Sequence, residues 1–143
     1  MAKVVSINIS EIKGVIKTPV AEGTFKEDHG LVGDGHAGNW HRQVSLLANE
    51  SIDKMINFGV PDLTPGKFAE NITTEGIVLY ELPIGTRLKI GDTIQEVTQI
   101  GKECHKGCAI KNKVGKCIMP TEGIFTKIIK GGVIKAGDSI EVL

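Results

Sequence analysis

Three cysteines, all the chain has, fall between Lys102 and Cys117: Cys104, Cys108 and Cys117. The stretch from Lys102 to Lys116 carries five lysines and one acidic residue, Glu103. Nearby cations stabilise a thiolate and lower the thiol pKa from its free value of about 8.5. A thiolate can attack as a nucleophile, carry sulfur as a persulfide, or ligate a metal. The same lysines would draw in an anion such as a cofactor phosphate. Cys104 stands between Lys102 and Lys106 and directly before His105, so it is the thiol with cations on both sides. Cys108 precedes Ala109 and Ile110, and Cys117 precedes Ile118 and Met119; those neighbours point to burial, which makes a thiol inert. A zinc site built from Cys104, His105, Cys108 and Cys117 is the competing reading. Three residues separate Cys104 from Cys108, against two in the common zinc knuckle, and no second paired half exists.

A second constellation is Gly33-Asp34-Gly35-His36-Ala37-Gly38-Asn39-Trp40-His41-Arg42. Glycines let backbone amides approach an anion closely, and Arg42 can clamp a phosphate or carboxylate with two donors. Asp34, His36 and His41 could also hold a hard metal. The bland alternative is a glycine-rich turn in which Asp34 caps a backbone amide and Trp40 fills core. A third block, Pro65-Gly66-Lys67-Phe68-Ala69-Glu70-Asn71-Ile72, reads by itself as a turn then a strand, with Glu70 and Asn71 as supporting polar groups. No Walker loop, Gly-x-Ser-x-Gly elbow or dinucleotide-binding fingerprint occurs.

These residues need elements to hold them. The chain has 143 residues, and 17 basic side chains balance 17 acidic ones. That length fits one domain spanning 1–143. A zero net charge lacks the basic excess of a nucleic-acid or membrane-surface binder, so neither partner is expected. The 18 glycines, about twice the usual share, together with many Val and Ile, indicate a turn-rich β protein. Residues 3–9 alternate as an amphipathic strand, Val44–Leu47 forms a short apolar strand, and Phe68–Thr74 is expected to be a third. Asn49 can cap a helix whose Ile52, Met55 and Ile56 share one face. Residues 30–43 read as a long irregular loop. Gly91-Asp92 and Gly137-Asp138 sit in similar β-rich runs and read as corners or hairpins of a barrel. Ile124–Lys130 is ambiguous between helical spacing and β-branched composition; the Gly131-Gly132 turn that follows favours strand. The expected fold is mainly β, a single barrel-like domain with one or two short helices. The N-terminus shows no signal-peptide pattern and no run is long enough to cross a bilayer, so a cytoplasmic protein is expected.

Four blocks in order resemble the MOSC domain, the family named from the C-terminal domain of molybdenum cofactor sulfurase: Gly33–His36 with Arg42–Leu46; Pro65–Ile72; Ile84-Gly85 through Asp92; and Cys104–Cys117 into Gly123–Phe125, Gly131-Gly132 and Gly137-Asp138. The match is to the small stand-alone bacterial type. It implies a β-rich, barrel-like fold and a pterin-based molybdenum cofactor, or sulfur carried on a cysteine toward a metal–sulfur centre. The family's key cysteine maps onto Cys104, as catalytic thiol and as molybdenum ligand, although Glu103 stands where many relatives have proline; a slip of four residues would transfer the role to Cys108. With the resemblance, Asp34, His36, His41, Arg42, Asn71, Lys102, His105 and Lys106 form the expected cofactor-binding set. If the chain is an enzyme, the implied activity is sulfurtransferase-like or a molybdenum-cofactor-dependent reduction. The implied partners are molybdenum-cofactor biosynthesis or sulfur-donor proteins. Pyridoxal phosphate belongs to the aminotransferase-like part of the full sulfurase and is not expected here. A zinc-stabilised, non-enzymatic interaction domain remains the alternative.

Overall fold

The computed structural model describes residues 2–12, 16–57, 66, 68–101 and 122–143. Among them are eleven strands, one α-helix and a 3-10 turn at Leu79–Glu81. The strands are β1 (Lys3–Ile9), β2 (Thr18–Val20), β3 (Glu22–Lys26), β4 (Gly30–Leu31), β5 (Val44–Ala48), β6 (Ile72–Glu75), β7 (Arg87–Ile90), β8 (Thr93–Ile100), β9 (Ile124–Lys130), β10 (Gly132–Lys135) and β11 (Ile140–Val142); helix α1 spans Asn49–Asn57. Eight strands form one sheet in the order β11-β7-β8-β9-β5-β6-β1-β2, and β10-β3-β4 form a second. Among the described strands only β5 and β6 run parallel, which requires a crossover; α1 lies on it.

The mainly β expectation holds, whereas the sheets of the described residues are not closed into the expected barrel. β2 pairs with the C-terminal half of β1, Ile7–Ile9, and so occupies that length of its outer edge. Only the N-terminal half is left for the other end of the sheet. There a single bridge, Lys3–Ser139, and the bonds Val4 N–H to Asp138 O (2.8 Å), Gly137 N–H to Val4 O (2.7 Å) and Ile140 N–H to Ala2 O (3.0 Å) tie the ends together without a paired strand ladder. The two Gly-Asp turns differ in role and meet in space. Gly91-Asp92 closes the β7–β8 hairpin, while Gly137-Asp138 turns the chain from the small sheet into the large one. Gly91 adopts a φ of 54°, a left-handed conformation that favours glycine, and a Cβ there would lie 2.6 Å from Asp138 Oδ2, so a larger residue would also have to displace that carboxylate.

Val44, Leu46, Ile72, Leu88, Val97, Ile124 and Ile128 of the large sheet enter one cluster with Phe25, Leu31 and Ile134 of the small one, and the register shift between Val4 and Ser6 lets Val4 and Ile7, three apart on β1, both join it. Each such side chain contributes about 1.5–3 kcal/mol by leaving water. Ile124–Lys130 is a strand: its neighbours β5 and β8 accept it on both sides, and tertiary pairing overrides helical spacing. Residues 30–43 contribute one two-residue strand, β4, before their turns. Helix α1 buries Ile52 but leaves Ile56 at 44% exposure, so the expected apolar face is narrower than the spacing implied; the Met55 side chain lies outside the described residues. The strand expected over Phe68–Thr74 begins only at Ile72. Before it the backbone folds back through Ala69 at φ 62°, because the Glu70 carboxylate takes hydrogen bonds from the amides of Gly66 and Phe68, and extended chain cannot deliver both.

Candidate functional site

The Gly33–His36 turn is anchored from beneath. Asp34 Oδ1 accepts from Lys17 Nζ at 2.7 Å and from Ser10 N–H at 3.1 Å, and its Oδ2 accepts from His36 N–H at 3.0 Å. Both side chains of the Lys17–Asp34 pair are fully buried. Burial pushes the Asp34 carboxyl upward, but the Lys17 ammonium, the Ser10 amide and the Asn71 side chain together hold it below the usual carboxylate range. The Lys17 backbone N–H reaches Gly66 O at 2.9 Å, so one residue joins the first block to the third. Gly66 sits at φ 91° with its Cα against the Lys17 backbone; a Cβ there would lie 2.3 Å from Lys17 O.

Asn71 is wholly buried and braces β5: its Oδ1 accepts from Ser45 N–H at 3.0 Å, and its Nδ2 reaches Asn8 O at 3.4 Å. Beside it Glu70 is also wholly buried and accepts from Gly66 N–H, Phe68 N–H and Thr73 Oγ1. Burial drives the Glu70 carboxyl above its ordinary range, and these three donors only partly oppose that. Asp34 and Asn71 thus spend their polar atoms on the protein itself.

Farther along the loop the side chains turn outward. The Trp40 indole N–H donates to His36 O at 2.8 Å, and the two rings stack 6.3 Å apart. His41 meets the Trp40 ring edge-on, and its Nε2 lies 2.8 Å from Gln99 Oε1 near the end of β8. The Thr98 hydroxyl donates to His41 O, fastening the loop to the same strand. The Arg42 guanidinium lies 4.7 Å from the Trp40 ring centroid and 5.6 Å from that of Phe125 on β9. Its Nε is buried and, among the described residues, has no hydrogen-bond partner. A buried unmet donor of this kind costs about 1–3 kcal/mol, more when charged, unless a ligand meets it.

Lys102, Cys104, His105, Lys106, Cys108 and Cys117 lie outside the described residues, and with them the competing zinc set. The strands that lead into and out of 102–121 are described: Gly101 N–H donates to Gly123 O at 2.6 Å, and Gln99 Nε2 donates to Gly101 O. His41 and Arg42 therefore contact β8 and β9 close to the root of the cysteine-bearing segment, through Gln99 and Phe125. On the far side Glu122 accepts from Ser51 Oγ at 2.6 Å and from Lys54 Nζ at 3.0 Å on α1. Among the described residues no three His, Cys, Asp or Glu side chains converge on a metal, so Asp34, His36 and His41 do not form the hard-metal triad their spacing allowed. Sequence reasoning missed Lys17, which sits in an unpatterned stretch, and the Trp40 and Phe125 rings beneath Arg42. The only signal for the former is a lone lysine before Thr18-Pro19, which specifies nothing.

Comparison with known proteins adds to this geometry. A model of the MOSC domain matches residues 33–141. No curated protein matches the chain. Among solved structures, the YuaD protein of Bacillus subtilis is similar with a TM-score of 0.78 and 21% identity, covering 99% of this chain and 94% of that one. YiiM from Geobacillus stearothermophilus is similar with a TM-score of 0.78 and 21% identity over 100% of this chain and 75% of that one. YiiM from Escherichia coli has a TM-score of 0.70 and 19% identity over 100% and 70%. At these identities the structures testify to the fold.

Proposed function

The chain belongs to the MOSC domain family, and on that premise we propose that it binds a pterin molybdenum cofactor or carries sulfur on Cys104 for assembly of a metal–sulfur centre. The observation that carries this reading is Arg42, whose buried Nε has no hydrogen-bond partner among the described residues and which lies against Phe125, near the root of the segment that bears the thiols. An orphaned guanidinium donor fits the phosphate end of such a cofactor. Arg42 would bind that phosphate, with His41, Lys102 and Lys106 adding positive charge and hydrogen bonds, and Cys104 would take the molybdenum end. His36 and the buried Asp34 and Asn71 hold the loop that presents Arg42. When bound, the cofactor would supply a metal centre able to exchange electron pairs.

In the sulfur-carrying form the Cys104 thiolate attacks the outer sulfur of a donor persulfide. The donor's S–S bond breaks, Cys104 becomes the persulfide, and the donor leaves as a thiolate. Its partners are then the donor protein and the proteins that build or receive the cofactor, met in the cytoplasm. Cys104→Ser tests the assignment, because a hydroxyl of high pKa replaces a soft thiolate. The variant is expected to fold normally and to lose persulfide loading or molybdenum ligation. Unchanged loading would transfer the role to Cys108, and stoichiometric zinc without pterin or molybdenum in purified protein would favour the interaction-domain alternative.

A further inference from the structure

The Trp40–Arg42 contact gives Arg42 an uncommon kind of support. Arginines are usually held in place by carboxylates, and that occupies the planar fork of N–H donors. Among the described residues Arg42 has no carboxylate partner; it lies instead against two aromatic rings, at 4.7 Å from Trp40 and 5.6 Å from Phe125. Ring faces attract the cation perpendicular to its plane and leave the in-plane donors unspent. The Nε without a partner is consistent with this.

Both rings are themselves fixed. Phe125 is buried on β9, between β5 and β8. Trp40 is set by its indole bond to His36 O, by the stacked His36 ring, and by the edge of His41. One residue separates Trp40 from Arg42, and that residue, His41, turns to Gln99.

We infer that Trp40 is a positioning residue for Arg42: its indole face, with Phe125, holds the guanidinium so that its donors remain open to an oxyanion with two adjacent oxygens, such as a phosphate or molybdate group. This rests on the proposed anion role of Arg42, and its test separates the two. Inorganic phosphate and molybdate are titrated calorimetrically into the wild-type chain, Trp40→Leu, Trp40→Phe, Arg42→Ala and the Trp40→Leu/Arg42→Ala double variant. In parallel, the Arg42 Nε–H resonance is followed by NMR without any ligand, since a nearby ring face displaces it from the position of a solvated arginine.

Trp40→Leu is expected to weaken anion binding about two- to thirty-fold, the span of a cation–π contact from exposed to desolvated. Trp40→Phe restores a ring face and should stay within about threefold of wild type, although it loses the bond to His36 O. In the Arg42→Ala background Trp40→Leu should change nothing further. The ring-shifted Nε–H resonance should survive in Trp40→Phe and vanish in Trp40→Leu. An effect of Trp40→Leu that persists without Arg42, or an Arg42 resonance indifferent to loss of the indole, overturns the inference. Absence of any anion binding by the wild-type chain would sink the anion reading alone, because the resonance still decides whether Trp40 places Arg42.

Discussion

Asp34→Asn should be among the most damaging conservative changes in this protein. The substitution keeps the shape and removes the charge facing Lys17. Lys17 Nζ sits 2.7 Å from Asp34 Oδ1, and neither side chain reaches solvent. The variant would leave an ammonium buried without a counter-ion, and would turn an amide N–H₂ toward at least one of three existing donors, Lys17 Nζ, Ser10 N–H and His36 N–H. Breaking a buried pair on one side costs about 3–5 kcal/mol. A domain of this size is stable by about 5–15 kcal/mol, so about a fifth or more of its stability is at stake. Lys17→Met should cost less, because the carboxylate left behind keeps two amide donors. The Lys17→Met/Asp34→Asn double variant should lose clearly less than the sum of the two, with a coupling of about 2 kcal/mol or more. Urea melts followed by circular dichroism and by the fluorescence of Trp40, the sole tryptophan, read all four proteins. The pair also sets an acid limb. Burial raises the Asp34 carboxyl while Lys17 and its other donors bring it below the ordinary value. A group depressed in the folded state contributes stability that is present above its unfolded pKa, about 3.9, and is lost as pH falls through the folded value. Lys17→Met removes two of the influences that lower the Asp34 carboxyl and leaves burial as the largest one, so it should weaken this acid limb relative to wild type. Asp34→Asn within about 0.5 kcal/mol of wild type, or strict additivity in the double variant, would refute the buried pair.

Glu70 gives the opposite pH signature. Its carboxyl is raised by burial, so its contribution is full below the unfolded pKa and falls as pH rises through the folded value, with a slope of at most about 1.4 kcal/mol per pH unit. Glu70→Gln should remove that decline whatever its constant offset in stability, and an unaltered slope in urea melts from pH 4 upward (roughly the model carboxylate range) would reject the assignment. Gly66→Ala combines a positive φ with a Cβ driven into Lys17 O, whereas Gly85→Ala has the positive φ and open space. The Gly85 change should cost about 1–3 kcal/mol from backbone strain alone and the Gly66 change distinctly more; equal melting-point losses would contradict the close approach of Gly66 to Lys17. Timed alkylation near neutral pH with peptide mapping should label Cys104 before Cys108 and Cys117, and faster labelling of either of the latter would remove the reason for choosing Cys104.

Much of the β architecture is legible in the sequence because strand side chains alternate with a period of two. Lys3–Ile9 shows that alternation, while the run from Val44 is marked by being continuously apolar and Ile124–Lys130 by its β-branched composition and the Gly131-Gly132 turn after it; each is a strand. The Gly-Asp turns are legible for a different reason, since glycine tolerates the positive φ that such turns adopt. The segment before Ile72 is misread because a carboxylate four residues from a glycine carries no period, yet Glu70 folds that backbone onto itself.

Residue types alone determine that Arg42 is a candidate anion clamp and that the thiols lie in an electropositive stretch, because charge and nucleophilicity belong to side chains wherever they are placed. They also mark the chain as mainly β, through glycine content and alternation. Only the tertiary structure decides that Asp34 is engaged by Lys17 and that Asn71 braces Ser45. It alone decides that Arg42 rests on Trp40 and on Phe125, a residue far along the chain. Likewise, the open sheet follows from β2 taking half of one edge of β1. Burial and pairing between distant segments set these outcomes, and local periodicity has no term for either.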